Sequence, residues 1–244
     1  MVHTTGFTEP NGAPVVGWRQ PPAPTGVALA GAFAELELLN ADTHAQALFE
    51  QYLGQDQVWD YMPYGPFPTL AAYQEWIRQT IQSDEHLFYA IKNLETGQFE
   101  GVASYLRINP SSGSIEVGHI NFSPALQRTV AATEAMYLLM RWAFDAGYRR
   151  YEWKCNALNK GSRRAAQRLG LSYEGVFRQA TIVKGCNRDT AWFAAIDSEW
   201  PRLRAAFETW LGPANFENGQ QMERLSDLTR DIRVSDDPYI SAPA

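Results

Sequence analysis

Residues 115–146 read IEVGHINFSPALQRTVAATEAMYLLMRWAFDA. The first eight alternate like a strand, residues 123–132 form a polar loop, and a largely apolar helix follows from Thr133. A loop that leads into a helix N-terminus presents unpaired backbone N–H groups and the positive end of the helix dipole, which together suit a pyrophosphate. The same residues also fit a tight turn before a packing helix, so this segment alone leaves both interpretations open.

On either side of this stretch, the hydrophobic period switches repeatedly between that of a strand and that of a helix. Segments 87–92, 99–108 and 115–122 are joined by short turns, which predicts three antiparallel strands. The helix after residue 132 leads to an apolar segment at 148–155, and such a crossover predicts a strand parallel to the one before the helix. Further helices are predicted at 43–53, 69–82, 159–169 and 199–211, and further strands at 35–39, 173–179 and 190–196. The pattern indicates one α/β domain with a mixed, mostly antiparallel sheet.

The chain divides into three parts by composition. Residues 1–33 contain five prolines, which predicts an extended arm, and residues 34–212 hold the domain. Residues 213–244 combine prolines with an excess of acidic residues, which predicts a solvated tail with one short helix near 222–228. Apolar side chains in the arm, such as Phe7 and Trp18, are compatible with packing on the domain or with a homodimer.

Composition excludes several functional classes. The chain has 21 Lys and Arg against 27 Asp and Glu, a net charge of −6, which argues against nonspecific nucleic-acid binding but allows a cationic or amine substrate. Because no apolar run is long enough to cross a bilayer and the N-terminus lacks a secretion pattern, we expect a cytoplasmic protein that does not bind membranes. Two cysteines and four scattered histidines predict no metal site.

Two helix starts carry a more specific pattern. The long helix opens with Gln127-Arg128-Thr129-Val130-Ala131-Ala132-Thr133, and the next opens with Asn159-Lys160-Gly161-Ser162. In this order of elements, the residues resemble the GNAT superfamily of acetyl-CoA-dependent N-acetyltransferases. Within it, they are most similar to the branch of ribosomal-protein N-terminal alanine acetyltransferases and related small-molecule acetyltransferases. The resemblance spans about residues 34–212 and implies helices on both faces of the sheet and a splayed strand pair that binds acetyl-CoA.

The resemblance also implies which residues contact acetyl-CoA as cosubstrate. Its pyrophosphate would lie on the loop and helix start, and its pantetheine along the end of the preceding strand. The expected contact residues are Asn121, Phe122, Ser123, Gln127, Arg128, Thr129, Val130, Ala131, Ala132, Thr133, Asn159 and Ser162. Val130 stands where the family pattern has glycine. Because valine adopts a positive φ poorly, the loop must be regular there or bind the cosubstrate more weakly.

Attack of a neutral amine on a thioester needs a base and an acid. Glu116 is expected as the base, because strand alternation places it among apolar neighbours and because several GNAT members carry a base glutamate there. The alternative for Glu116 is an exposed glutamate at a strand edge. Alternation places His119 on the opposite face, where it is a weaker base candidate or a structural histidine.

The resemblance implies Ser162 as the acid that faces the CoA sulfur, because Ala166 occupies the position of the tyrosine that many GNAT members use. Asn159 would orient this loop. The alternative is that Asn159 and Ser162 only satisfy the first turn of their helix.

Residues 59–67 read WDYMPYGPF and are rich in aromatic rings for a connector. They are expected to build the acceptor pocket, with a carboxylate to hold an ammonium group; alternatively, the rings cover the core or contact another subunit. The expected acceptor contacts are Trp59, Asp60, Tyr61, Tyr64, Phe67 and His119. These features predict direct acetyl transfer to a primary amine, either a small molecule or a peptide N-terminus. The alternatives are a catalytically degenerate acyl-CoA-binding regulatory module, which Val130 favours, and an assembly protein that binds no CoA.

Overall fold

The computed structural model describes residues 14–241. Its main sheet contains β1 (Leu29–Ala30), β2 (Ala34–Leu38), β3 (His86–Asn93), β4 (Gln98–Asn109), β5 (Ser114–Phe122), β6 (Arg150–Asn156), β7 (Ser172–Val183) and β8 (Cys186–Ile196). Its helices are α1 (Ala41–Tyr52), α2 (Leu70–Ile81), α3 (Val130–Asp145), α4 (Lys160–Arg168), α5 (Trp200–Leu211), α6 (Leu225–Thr229) and α7 (Pro238–Ser241). A small hairpin of β9 (Phe216–Glu217) and β10 (Gln220–Gln221) lies apart from the main sheet.

The eight strands of the main sheet run in the order β1-β2-β3-β4-β5-β6-β8-β7. Every neighbouring pair is antiparallel except β5 and β6, which are parallel because α3 forms the crossover between them. The predicted mixed, mostly antiparallel sheet is therefore confirmed.

Helices cover the two faces of the sheet unequally. On one face, α3 packs across the middle of the sheet with α4 and α5 beside it, and most of α3 is buried. On the other face, α1 and α2 cover β2, β3 and β4 through a second cluster around Tyr73 and Phe88. Because both of these helices lie over the first half of the sheet, the second half of this face, formed by β5, β6, β8 and β7, carries polar side chains.

The apolar sequence of α3 contains one glutamate, Glu134, which is not solvated. Its carboxylate is buried and accepts hydrogen bonds from the backbone N–H groups of Ala32, Phe33 and Ala34, at 2.9, 2.6 and 2.7 Å. Backbone donors in a buried turn need acceptors, and Glu134 supplies them. The carboxylate thereby fixes the chain where the arm enters β2.

The expectation of a solvated C-terminal tail is also wrong for the described part of it. Leu225, Ile232 and Asp237 are buried, and Asp237 pairs with Arg163 of α4 at 2.6 and 2.5 Å. Asp237 is thus tied to the domain, whereas the other acidic side chains of this segment, such as Glu217 and Glu223, are exposed. In the arm, residues 14–28 contain no helix or strand and the Tyr148 hydroxyl donates to the Pro22 carbonyl; Phe7 lies outside the described residues.

Candidate active site

The parallel strands β5 and β6 separate part of the way along their length. They pair at only four positions, from Ser114 with Arg150 to Val117 with Trp153. Beyond these positions β5 stays paired with β4 as far as Phe122, while β6 stays paired with β8 as far as Asn156. Because each strand follows its other neighbour, a gap opens in the sheet after Val117.

A bulge in β5 sets which side chains border this gap. Ser104 of β4 pairs with Gly118, but Val102 pairs with Asn121, so β5 contains one extra residue there. His119 takes up the irregularity with a φ of 49°. Alternation after the bulge is reversed, and Phe122 therefore lies on the face opposite Glu116, contrary to the sequence expectation.

The expected placement of His119 on the opposite face is likewise wrong. Its ring lies 5.1 Å from that of Phe88 and stacks on Tyr64 at 5.6 Å, both on the face of α1 and α2. This face also carries Glu116, because Leu106 and Ser104 of β4 pair with Glu116 and Gly118 in turn. The bulge thus brings His119 and Glu116 to the same side of the sheet.

The loop after β5 delivers free backbone donors to the start of α3. The Thr129 hydroxyl caps the helix by accepting from the Ala132 N–H at 3.0 Å. Among residues 14–241, no group accepts from the N–H of Val130 or Ala131. The left-handed residue of the loop is Arg128, with φ of 65°, and Val130 is the first residue of the helix. Valine at this position therefore demands no positive φ.

Other expected cosubstrate contacts are already occupied by protein groups. The carbonyls of Asn121 and Phe122 accept from the Tyr52 hydroxyl and the Gln127 amide, at 2.8 and 2.9 Å. The Ser123 carbonyl accepts from two N–H groups of the loop. Only the side-chain amide of Asn121 is unpaired: its nitrogen and oxygen are both buried without a partner in the described chain. A ligand in the gap would find this amide rather than a free strand edge.

The α4 helix start lies on the α3 side of the gap. Asn159 accepts from the Ser162 N–H at 3.0 Å, so it caps α4 as the structural alternative predicted. The Ser162 hydroxyl accepts from the Trp153 indole N–H at 2.9 Å. Beside it, burial raises the pKa of the Cys155 thiol to about 11 despite a hydrogen bond from Ser162. Cys155 is therefore a protonated buried thiol at neutral pH.

The environment expected for Glu116 is contradicted. Its side chain is 2% exposed, but its carboxylate contacts two cations instead of apolar groups. Arg107 Nη1 lies 2.8 Å from both oxygens, and Lys154 Nζ lies 2.8 Å from Oε2. Lys154 also pairs with Glu152 at 2.8 Å and sits 3.7 Å from the centre of the Trp192 ring. Glu116 belongs to a network of opposite charges drawn from three strands.

His119 is a neutral imidazole at neutral pH. Its pKa is lowered to about 4, chiefly by burial and in addition by the nearby charges of His86, Arg107 and Arg188. Its Nδ1 lies 3.1 Å from the hydroxyl of Tyr64. Burial keeps the pKa of Tyr64 well above 10, so the phenol retains its proton, and Nδ1 is its one hydrogen-bond partner among the described residues. Which of the two groups donates depends on the imidazole tautomer, because a phenol can both donate and accept.

The aromatic loop between α1 and α2 contributes some rings to the core and others to the charged face of the sheet, which carries Glu116, Arg107 and Lys154. Trp59 is buried and Phe67 packs against it in the core, so the structural alternative holds for these two rings. Asp60 is exposed and makes no hydrogen bond with its side chain among the described residues. Tyr64 reaches His119, and the Tyr61 hydroxyl donates to the Leu158 carbonyl at 3.2 Å.

Sequence reasoning missed several residues that surround the gap. Arg107, Lys154, Arg188 and Trp192 lie on three strands and share one face with Glu116. The only local signal was the alternation of Arg150, Glu152 and Lys154 in β6, which predicts one polar face of a strand. Nothing in the sequence near Glu116 indicates that this polar face lies against it.

The described chain shows neither a membrane-spanning helix nor a metal site. None of its helices combines the length and apolar character needed to cross a bilayer. Within residues 14–241, no three His, Cys, Asp or Glu side chains group in a way that could hold a metal ion.

The chain is similar to known acetyltransferases in both sequence and structure. The family model of the acetyltransferase (GNAT) domain matches residues 35–172. A GCN5-related N-acetyltransferase from Brucella melitensis is 41% identical, with a TM-score of 0.85, covering 88% of this chain and 99% of its own. A probable GNAT-family acetyltransferase from Chromobacterium violaceum ATCC 12472 is 40% identical, with a TM-score of 0.75, covering 79% and 98%. A comparison with curated proteins gives no significant match.

A more distant structure shares the fold and carries an acetyl donor. The microcin C7 self immunity acetyltransferase MccE, in complex with acetyl-CoA and AMP, is 22% identical, with a TM-score of 0.61, covering 68% of this chain and 93% of its own. The family match and the two closer structures together establish that this chain belongs to the GNAT family of acetyltransferases, which use acetyl-CoA.

Proposed function

We propose that this protein transfers the acetyl group of acetyl-CoA directly to a primary amine, of a small molecule or of a peptide N-terminus. The observation that carries the proposal is the gap between β5 and β6, because it joins two different surfaces. On one side lie α4 and the N–H groups at the start of α3 that have no partner within residues 14–241. On the other lies the charged face around Glu116. Donor and acceptor would meet through this opening.

The residues at the start of α3 fit a pyrophosphate. Val130 and Ala131 supply free N–H groups at the positive end of a sixteen-residue helix. Arg128 adds an exposed cation on the same loop. The buried and unpaired amide of Asn121 offers one donor and one acceptor to the pantetheine in the gap. When bound, the cosubstrate supplies the activated acyl group, and these residues orient it.

We propose that proton transfer uses groups on both sides of the gap. Glu116 accepts the proton that the attacking amine loses, and Ser162 donates a proton to the departing sulfur. For Glu116 to act in this way, Arg107 must release it. Arg107 is 61% exposed in its side chain, whereas Lys154 is 7% exposed, so the Arg107 pair is the one that opens at low cost. Burial and the high pKa of the Cys155 thiol support direct transfer without a covalent enzyme intermediate.

The proposal is tested by incubating the protein with acetyl-CoA and a panel of amines while following thiol release. Release of thiol together with an acetylated amine supports catalysis. Binding of acetyl-CoA with no release for any amine supports the alternative of a regulatory acyl-CoA-binding module. Absence of CoA binding at millimolar concentration would rule out both the acetyltransferase and the regulatory module.

The role of Glu116 is tested by Glu116→Gln, with Glu152→Gln as the matched control. Both substitutions remove one carboxylate partner of Lys154 at 2.8 Å, but only Glu116 lies on β5 at the gap. We expect Glu116→Gln to lower turnover 10²- to 10⁴-fold at neutral pH, on the order of the contribution of a general base, and less at high pH. Equal losses in the two variants would show that the charge network, and not a base, is responsible.

A further inference from the structure

Arg188 of β8 lies on the charged face of the sheet, which carries Glu116, Arg107 and Lys154. Strand β8 pairs with β6 without interruption from Thr190 to Ile196, and Trp192 lies opposite Lys154. The register shift nearby places its extra residues on β7, since Phe177 pairs with Thr190 and Thr181 pairs with Arg188. Alternation along β8 therefore continues to Arg188, which lies on the same face as Trp192 and beyond the end of β6.

Three other cations on this surface are paired with carboxylates, and Lys184 donates to the Trp59 carbonyl at 2.9 Å. Arg107 and Lys154 contact Glu116, and Arg150 contacts Glu152 and Glu174. Arg188 has no ion-pair partner among residues 14–241, and its Nε is shielded from solvent without a hydrogen-bond partner in that part of the chain. A half-buried guanidinium with an unpaired donor is costly, and a bound anion would remove that cost.

The guanidinium of Arg188 lies close to the groups that border the gap. Its charge contributes to the lowered pKa of His119. Burial lowers the pKa of Arg188 itself, Cys155 and Glu116 act to raise it, and the charge of Arg107 lowers it. Within residues 14–241, the indole nitrogen of the half-buried Trp192 is also shielded from solvent without a partner, and its ring stacks on Phe177 at 4.4 Å. Arg188 and Trp192 therefore supply two donors without partners in residues 14–241, beside the stacked rings of Trp192 and Phe177 on the charged face.

We propose that the acceptor carries a carboxylate or phosphate group that pairs with Arg188 while its amine faces Glu116 and the gap. The acceptor class is then an amine that also bears an anion, such as an amino acid or an amino-alkyl phosphate, and not a polyamine. This inference rests on the proposed acetyltransferase function. The charge pattern supports an acceptor of this class. The charged face has a carboxylate at Glu116 and, at Arg188, a cation without an ion-pair partner in residues 14–241.

The test compares acceptors that differ only in their anion. Thiol release from acetyl-CoA is measured with phenylalanine against phenylalanine amide, and with phosphoethanolamine against ethanolamine, which separates carboxylate from phosphate. We expect kcat/KM to be about ten- to a hundredfold higher for one of the anionic acceptors, as one charge-assisted hydrogen bond supplies. Arg188→Gln removes this preference, mainly through KM, and Arg188→Lys restores part of it. Arg178→Gln, an exposed arginine on β7, leaves the preference unchanged.

Calorimetry with acetylated products gives a readout independent of turnover. N-acetylphenylalanine and N-acetyl-phosphoethanolamine are titrated against their neutral counterparts into wild-type protein and Arg188→Gln. An anionic product that binds the wild type more tightly, with the difference lost in the variant, supports the inference. Equal binding of charged and neutral products, or a preference that survives Arg188→Gln, overturns it. Efficient acetylation of neutral amines alone would leave the proposed function standing without this inference. If no amine in the panel caused thiol release, the proposed function itself would be contradicted.

Discussion

The buried ion pair between Arg163 and Asp237 ties the C-terminal segment to α4. Removing it tests how much this contact stabilises the fold. Asp237 is fully buried and Arg163 is 3% exposed, with two hydrogen bonds at 2.6 and 2.5 Å between them. In Asp237→Asn the shape is kept, but an amide nitrogen replaces one carboxylate oxygen and faces a guanidinium donor. Breaking a buried pair from one side costs about 3–5 kcal/mol, and Arg163 retains its bond to the Ala157 carbonyl. We therefore expect a loss of about 3 kcal/mol.

This loss is measured as the free energy of unfolding in urea, and it corresponds to a fall in Tm of about 6–12 °C for a chain of this size. Asp227→Asn is the matched control, because Asp227 pairs with Arg230 at 2.6 Å on the surface, where such a pair contributes at most about 1 kcal/mol. The double variant Arg163→Met with Asp237→Leu should recover part of the loss, since no unpaired charge is left buried. Equal stability of Asp237→Asn and Asp227→Asn would refute the reasoning.

Three further predictions concern other buried or strained groups. Glu134→Gln should cost about 2–4 kcal/mol in urea unfolding, because its amide group opposes the N–H donors of residues 32–34; a loss under 1 kcal/mol would contradict this. His119 has a folded-state pKa of about 4 against 6.5 unfolded, so stability should fall by roughly 3 kcal/mol as the pH drops from 6.5 to 4, and His119→Phe should abolish that part of the pH dependence. Val130→Gly should not tighten CoA binding in calorimetry, whereas Arg128→Gly, at the left-handed position, should weaken it about tenfold at low salt.

Much of the fold follows from local patterns in the sequence. The apolar period predicted α3, its stop at Gly147 and the strand that follows, and the structure has Val130–Asp145 and Arg150–Asn156 in these places. The unpaired N–H groups at the start of this helix were also expected from the sequence, because they depend on residues within one turn of each other. The family pattern in this same segment led to the correct superfamily.

The partners of the site residues were not readable in the same way. Glu116 meets Arg107 of β4 and Lys154 of β6, and which cations face it depends on the register of three strands. The extra residue at the β5 bulge moved His119 to the opposite face from the one that alternation predicts. A shift of one residue in register exchanges every side chain between faces, so an error at one position is carried along the strand.

The sequence by itself determined the order and type of the elements and the family, because these depend on residues close together along the chain. Only the tertiary structure decided that Glu116 lies in a charge network, that Arg188 has no ion-pair partner among residues 14–241, and that Asp237 is buried against α4. The reason is that Coulomb energies and burial depend on distance in space, and the groups that set them come from strands and helices far apart in the chain.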